Sequence, residues 1–232
     1  MRIRTYVRYR RIVAVVPTSP TLPRRDAEAR ARLHAVAARA RPSVAAGDRR
    51  LPVGGRLGEL LPAGLQRGST LAVAGAPGSG ATTIALTLAA AATGAGEWAA
   101  VVDPGGTLGA RAAADAGVEL ERLAVVRRVT PDRWAAVVAA LLDGVTVVVA
   151  AVPPHLRLGD ARRLVARARE RGAVLVAVGA WPVEAAVRVR AEGCTWGDLG
   201  AGVGLLGARE LRIEIEDKGR PHTRTRPYAR AG

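Results

Sequence analysis

Residues 70–83 read Thr70-Leu-Ala-Val-Ala-Gly75-Ala-Pro-Gly-Ser-Gly80-Ala-Thr-Thr83, a short apolar run that breaks into glycines. Leu71–Ala74 predicts a buried strand and Ala81–Ala92 a helix, so the glycines stand where a strand hands over to a helix. That is the setting of a loop that cradles nucleotide phosphates. Its pattern G-x-x-x-x-G-K-[ST] is met at Gly75, Gly80 and Thr82, but position 81 is alanine. The missing lysine reaches the β- and γ-phosphates, because charge builds on a phosphoryl group in transfer and backbone dipoles alone neutralise it poorly. Gly75, Gly78, Ser79, Gly80, Thr82 and Thr83 therefore read as a vestigial phosphate loop, and Ala81 as its lost cation. The loop backbone and the helix N-terminus could still attract an anion. Equally, the glycines serve a tight strand-to-helix turn.

Outward from the loop the chain keeps one rhythm. Strands are predicted at Trp98–Val102, Leu123–Val126, Val145–Val152 and Ala173–Gly179. Helices are predicted at Leu108–Ala116, Asp132–Leu142 and Leu158–Arg171, the last with an arginine-studded outer face. Apolar runs of strand length alternating with helices predict an α/β fold, a mainly parallel sheet covered on both faces. After Trp181-Pro182 the pattern alternates apolar with charged residues at Ala185–Ala191 and Glu210–Glu216, which predicts half-exposed antiparallel strands at the sheet edge.

Charge divides the chain into three parts. Residues 1–50 carry 13 basic and 3 acidic side chains, residues 51–216 carry 17 and 16, and residues 217–232 carry 5 and 1. The expected organisation is a basic N-terminal arm with a helix over 26–41, a nearly neutral core domain over 51–216, and a basic disordered tail over 217–232. Basic ends suit nucleic acid, an acidic partner or plain solvent. With 34 of its 35 basic residues arginine, no Asn and no Phe, the chain has a composition bias that weakens any argument from arginine abundance alone. A single cysteine, Cys194, rules out an intrachain disulfide, and His34, His155 and His222 have no metal-ligand spacing. No apolar run reaches the length of a membrane span, so a cytosolic protein is expected.

The stretch before the loop, Leu51-Pro-Val-Gly-Gly-Arg-Leu-Gly-Glu-Leu-Leu-Pro-Ala-Gly64-Leu-Gln-Arg-Gly68-Ser69, resembles the segment leading into the phosphate loop of RecA-like recombinases. Val101-Val102-Asp103-Pro104-Gly105 resembles that family's second strand, and Ala116-Gly117-Val118-Glu119-Leu120-Glu121-Arg122-Leu123 resembles the segment beyond its next short helix. The similarity spans about residues 51–216. It implies a RecA-like P-loop NTPase fold and two further catalytic positions. The water-activating glutamate would fall at Gly105, and the magnesium-assisting aspartate at the strand end Ala150-Ala151. With Ala81 these make three lost groups, so hydrolysis is not expected, nor any cofactor beyond weak ATP binding. In the same family, single-stranded DNA would lie on Pro153–Gly159 and Trp181–Arg190, where Trp181, Arg188 and Arg190 could stack and pair with it. Trp196 offers a further ring, and a packing role competes for each tryptophan.

Together with the basic N-terminus, the run Cys194-Thr-Trp196-Gly-Asp-Leu-Gly200-Ala-Gly-Val-Gly204 looks like the actinobacterial ImuA family (ImuA-prime). That resemblance implies an accessory role in SOS mutagenesis, the error-prone translesion synthesis that comes after DNA damage. Its implied partners are an ImuB-like inactive Y-family polymerase and an error-prone C-family DNA polymerase, with contact to RecA or to itself through the 26–41 helix. The alternatives are an active RecA-like DNA-dependent ATPase using substitute groups, a SulA-type division inhibitor, and a simple DNA-binding module. The SulA type has no recognisable glycine loop, so Gly75, Gly78 and Gly80 speak against it.

Overall fold

A computed structural model describes residues 14–15, 50–196, 209–217 and 220–230. The expected 26–41 helix and the Gly-rich connection 197–208 lie outside the described residues. Strands are β1 (Ala14–Val15), β2 (Arg50–Leu51), β3 (Leu65–Gln66), β4 (Thr70–Gly75), β5 (Ala99–Asp103), β6 (Leu123–Arg127), β7 (Val147–Ala151), β8 (Val174–Val178), β9 (Val187–Trp196), β10 (Arg209–Asp217) and β11 (Arg220–Arg230). Helices are α1 (Gly55–Leu60), α2 (Ala81–Thr93), α3 (Ala110–Asp115), α4 (Pro131–Leu142) and α5 (Leu158–Arg171).

Among the described residues, nine strands form one sheet in the order β1-β6-β5-β7-β8-β4-β9-β10-β11, while β2 and β3 make a separate small ladder. The first seven run parallel, and β10 and β11 are antiparallel to their neighbours. The protein is thus α/β with a mainly parallel sheet and an antiparallel C-terminal edge. Each central strand is apolar on both sides because both sides are covered. Val147 and Val149 of β7 pack with Ile84, Leu88 and Ala92 of α2, whereas Val148 and Ala150 pack with Trp134 and Val138 of α4 and Leu164 of α5. Helix α2 buries eight of its 13 residues and is apolar nearly all round, as a helix enclosed by its surroundings must be. Helix α5 buries only Ala161, Leu164 and Ala168 and leaves its arginines to water.

Two expectations are corrected. Strand β9 is not part of an antiparallel extension on both sides: Leu71–Gly75 of β4 pair in parallel with Val187–Ala191, and only its far side meets β10 antiparallel. Its alternating pattern arises because one face (Val189, Ala191) joins the core while the other (Arg188, Arg190) stays exposed. The tail from Asp217 carries β11, paired with β10 from Arg209↔Arg230 to Asp217↔Arg220. High charge does not prevent a strand when an adjacent edge offers a full row of backbone partners. Within the N-terminal arm, Ala14 and Val15 pair with Val125 and Val126 at the opposite sheet edge.

The approach to the glycine loop is set by local chemistry. In Gly64-Leu-Gln-Arg-Gly68 both glycines take positive φ (66° and 77°), and a Cβ at Gly64 would lie 2.3 Å from the Leu51 carbonyl oxygen. Arg67 then reaches Glu97, donating to both carboxylate oxygens, and Thr146 donates to the same carboxylate. This knot ties the amino ends of β4, β5 and β7 together. Burial pushes the Glu97 carboxyl up, but the bonds from Arg67 and Thr146 and the Arg67 charge outweigh it and hold the group below its ordinary value.

Candidate functional site

Parallel α/β sheets bind ligands outside the carboxyl ends of their strands, where successive connections diverge. Here β5 connects outward through α3 on one face and its neighbour β7 connects the other way through α5 on the opposite face, so the crevice lies between them. Strand β4 brings the glycine loop to the same end of the sheet.

The loop turns tightly. The Ser79 N–H donates to the Ala76 carbonyl at 3.0 Å, Gly78 and Gly80 take φ of 81° and 98°, and α2 starts at Ala81. Gly75 is constrained by space, since a Cβ there would meet Ser79 Oγ at 2.2 Å and the Ala191 oxygen at 2.9 Å. Ser79 is buried, and its hydroxyl has no hydrogen-bond partner among the described residues. Thr82 is exposed on the first turn of α2 and Thr83 half-buried beside it. Helix first turns leave backbone N–H groups without intrahelical acceptors, which is the only electropositive feature the loop offers.

Between α2 and the carboxyl ends of β5, β7 and β8 lies a cavity of about 80 Å³ lined by residues including Thr82, Asp103, Thr107, Leu108, Ala151 and Val178. Nucleotide-sized ligands need roughly 300–1,000 Å³. Asp103, 7% exposed, is the one charged residue in the lining among the described residues, and its oxygens are already engaged. They accept from the Thr107 N–H at 3.2 Å, the Thr107 hydroxyl at 3.4 Å and the Leu108 N–H at 2.9 Å. Arg127 Nε stands 3.8 Å from Asp103 Oδ2, near enough for attraction but not for a hydrogen bond, and Arg127 also donates to the Leu108 carbonyl at 2.7 Å. Asp103 and Arg127 thus brace the loop 103–109. Neither was expected as a site group; the signal was an ionisable residue ending an otherwise apolar strand.

Of the positions read as lost catalytic groups, Ala81 is half-buried at the start of α2, and Gly105 is exposed in the turn after β5. Ala151 borders the cavity with Thr82, whereas Ala150 faces α4 and α5 in the other core layer. Only Ala151 of that pair therefore faces the crevice.

The structure also gathers Trp181, Arg188 and Arg190. All three line a cleft of about 300 Å³ over β4, β9 and β10, together with Glu214 and Glu216. Trp181, 6% exposed, packs in the core layer of α4 and α5, so its ring face is not offered for stacking. Arg190 approaches Glu214 at 3.8 Å, Arg188 donates to the Val183 carbonyl at 2.7 Å, and Glu216 stands opposite Arg188 in the ladder. Across β9 and β10 this exposed face carries Arg188, Arg190 and Arg212 against Glu192, Glu214 and Glu216, so its charge cancels. The side chains of Cys194 and Trp196 and most of the Trp196–Gly204 motif lie outside the described residues. Among the described residues no group of His, Cys, Asp and Glu could hold a metal ion, and no helix is long and apolar enough to cross a membrane.

No curated protein matches the chain. A family profile, that of the MT3502 N-terminal domain, matches residues 59–183. The match runs from α1 through the glycine loop and every parallel strand from β4 to β8, and stops before β9. It covers more than half of the chain, which therefore belongs to the MT3502 N-terminal domain family.

Proposed function

We propose that this protein is a catalytically inactive RecA-like accessory factor in damage-induced mutagenesis, working in the cytosol through docking. A mainly parallel sheet with a glycine loop closing a central strand is compatible with a RecA-like core. One observation carries the inactive reading. Among the described residues, the crevice where Thr82, Asp103 and Ala151 meet has no cation in its lining, and its single carboxylate is committed to the loop after β5. A departing γ-phosphate there would find, among the described residues, no lysine, no magnesium carboxylate and no water-activating glutamate. The role in mutagenesis rests on the likeness of Trp196-Gly-Asp-Leu-Gly-Ala-Gly-Val-Gly204 to the ImuA family. The partners in this reading are an ImuB-like inactive Y-family polymerase and a C-family polymerase.

Two measurements test it. Purified protein with ATP, magnesium and single-stranded DNA should release no phosphate above blank; turnover abolished by substituting the loop glycines would make it an active ATPase. Affinity capture on the intact chain from DNA-damaged cells should recover a polymerase-like partner. Recovery of division proteins alone would transfer the assignment to the SulA type.

A further inference from the structure

Helix α5 and the residue before it hold arginine at 157, 162, 163, 167, 169 and 171 against Asp160 and Glu170. The arginines differ in how they are used. Arg167 and Arg171 both bind Asp143 at the end of α4, with Nε–Oδ1 distances of 2.7 and 3.1 Å, and Arg163 lies 3.6 Å from Asp160. Arg157, Arg162 and Arg169 are exposed and have no carboxylate partner among the described residues. Seven residues bring a helix almost back to the same angle, so Arg162 and Arg169 share one stripe about 10 Å apart, while Arg157 stands at the N-cap of the same helix. Leu158, 52% exposed, heads the stripe, and Gly159 and Ala166 flank it.

We infer that this stripe binds the phosphodiester backbone of nucleic acid. An acidic protein surface would share the charge, but protein interfaces draw their energy from an apolar centre of large side chains. Leu158 is the one large hydrophobic exposed among the described residues, so no apolar centre of large side chains is built around it. Guanidinium groups on long stems above small residues suit phosphates instead, because the planar fork pairs two oxygens at once. Such contacts set affinity without reading sequence. The contrast with the β9–β10 face is decisive, since there Arg188 and Arg190 stand opposite Glu216 and Glu214 and the three exposed arginines are balanced by three glutamates. The inference stands apart from the proposed role in mutagenesis.

The test is fluorescence anisotropy of a labelled single-stranded oligonucleotide with the full chain between 50 and 200 mM salt. The double variant Arg162→Ala/Arg169→Ala should bind about tenfold more weakly at the low end, with a log–log salt slope shallower by about 1.4. Arg188→Ala/Arg190→Ala should leave the slope unchanged. The basic arm and β11 contribute the same background to every variant, so the differences isolate α5. Equal affinity and slope in parent and double variant, or a parent that does not bind, would overturn the inference. So would a loss confined to poly-glutamate, which would assign the stripe to an acidic protein.

Discussion

At Gly75 the limit is steric. Its own φ is unexceptional, yet the β4 end passes so close to Ser79 and Ala191 that no side chain fits. Gly75→Ala should lower stability by about 1–3 kcal/mol through forced repacking, read from the midpoint of urea unfolding. Gly78→Ala should cost about 1–2 kcal/mol for a different reason, its positive φ, because nothing stands within 4 Å of a Cβ there. The other decisive residue is Ala81. In the proposed reading, Ala81→Lys strengthens ATP binding, measured by calorimetry, but produces no turnover while Gly105 and Ala151 remain. Phosphate release by the single variant would show that one cation was the whole deficiency.

The element with the widest consequence is β11. It pairs with β10 along nearly its full length, and β10 buries Leu211, Ile213 and Ile215 against the α2 side of the sheet. Without β11, β10 becomes an exposed edge with unpaired backbone groups. A chain shortened after Asp217 should lose roughly 5–10 °C in Tm and scatter light at concentrations where the parent does not. An unchanged Tm would mean that β11 contributes nothing to the fold. This strand was not legible as a strand. Arg220-Pro-His-Thr-Arg-Thr-Arg-Pro has no apolar face, and its pairing comes from the neighbouring backbone. The same limit explains β9: its half-exposed alternation predicts an antiparallel strand, but alternation carries no strand direction, and the β4 side pairs in parallel.

For the molecule as a whole, stability in acid should turn on the Arg67–Glu97–Thr146 knot. The Arg67 side chain is 8% exposed and that of Glu97 20%, so neither charge is well solvated alone. Because the folded carboxyl titrates below its ordinary value, the knot's contribution is complete above about pH 4.5 and is lost as pH falls through the folded value. Glu97→Gln should cost about 3 kcal/mol at neutral pH and flatten the stability curve on that acid side. Unfolding midpoints measured from pH 7 down to pH 3 would check both. An equal slope in parent and variant would place the pH dependence elsewhere.

What the amino-acid order determined by itself was local: apolar runs of strand length, the α2 and α5 boundaries, and the glycine turn with alanine at position 81. Each of these is set by periodicity, backbone freedom or the bare presence of a functional group. Only the tertiary structure decided which groups meet. It set Ala151 rather than Ala150 at the crevice, committed Asp103 to its own loop, and placed Glu214 and Glu216 beside Arg190 and Arg188. Neutralisation of one charge by another depends on distance across strands, and the linear chain does not contain that distance.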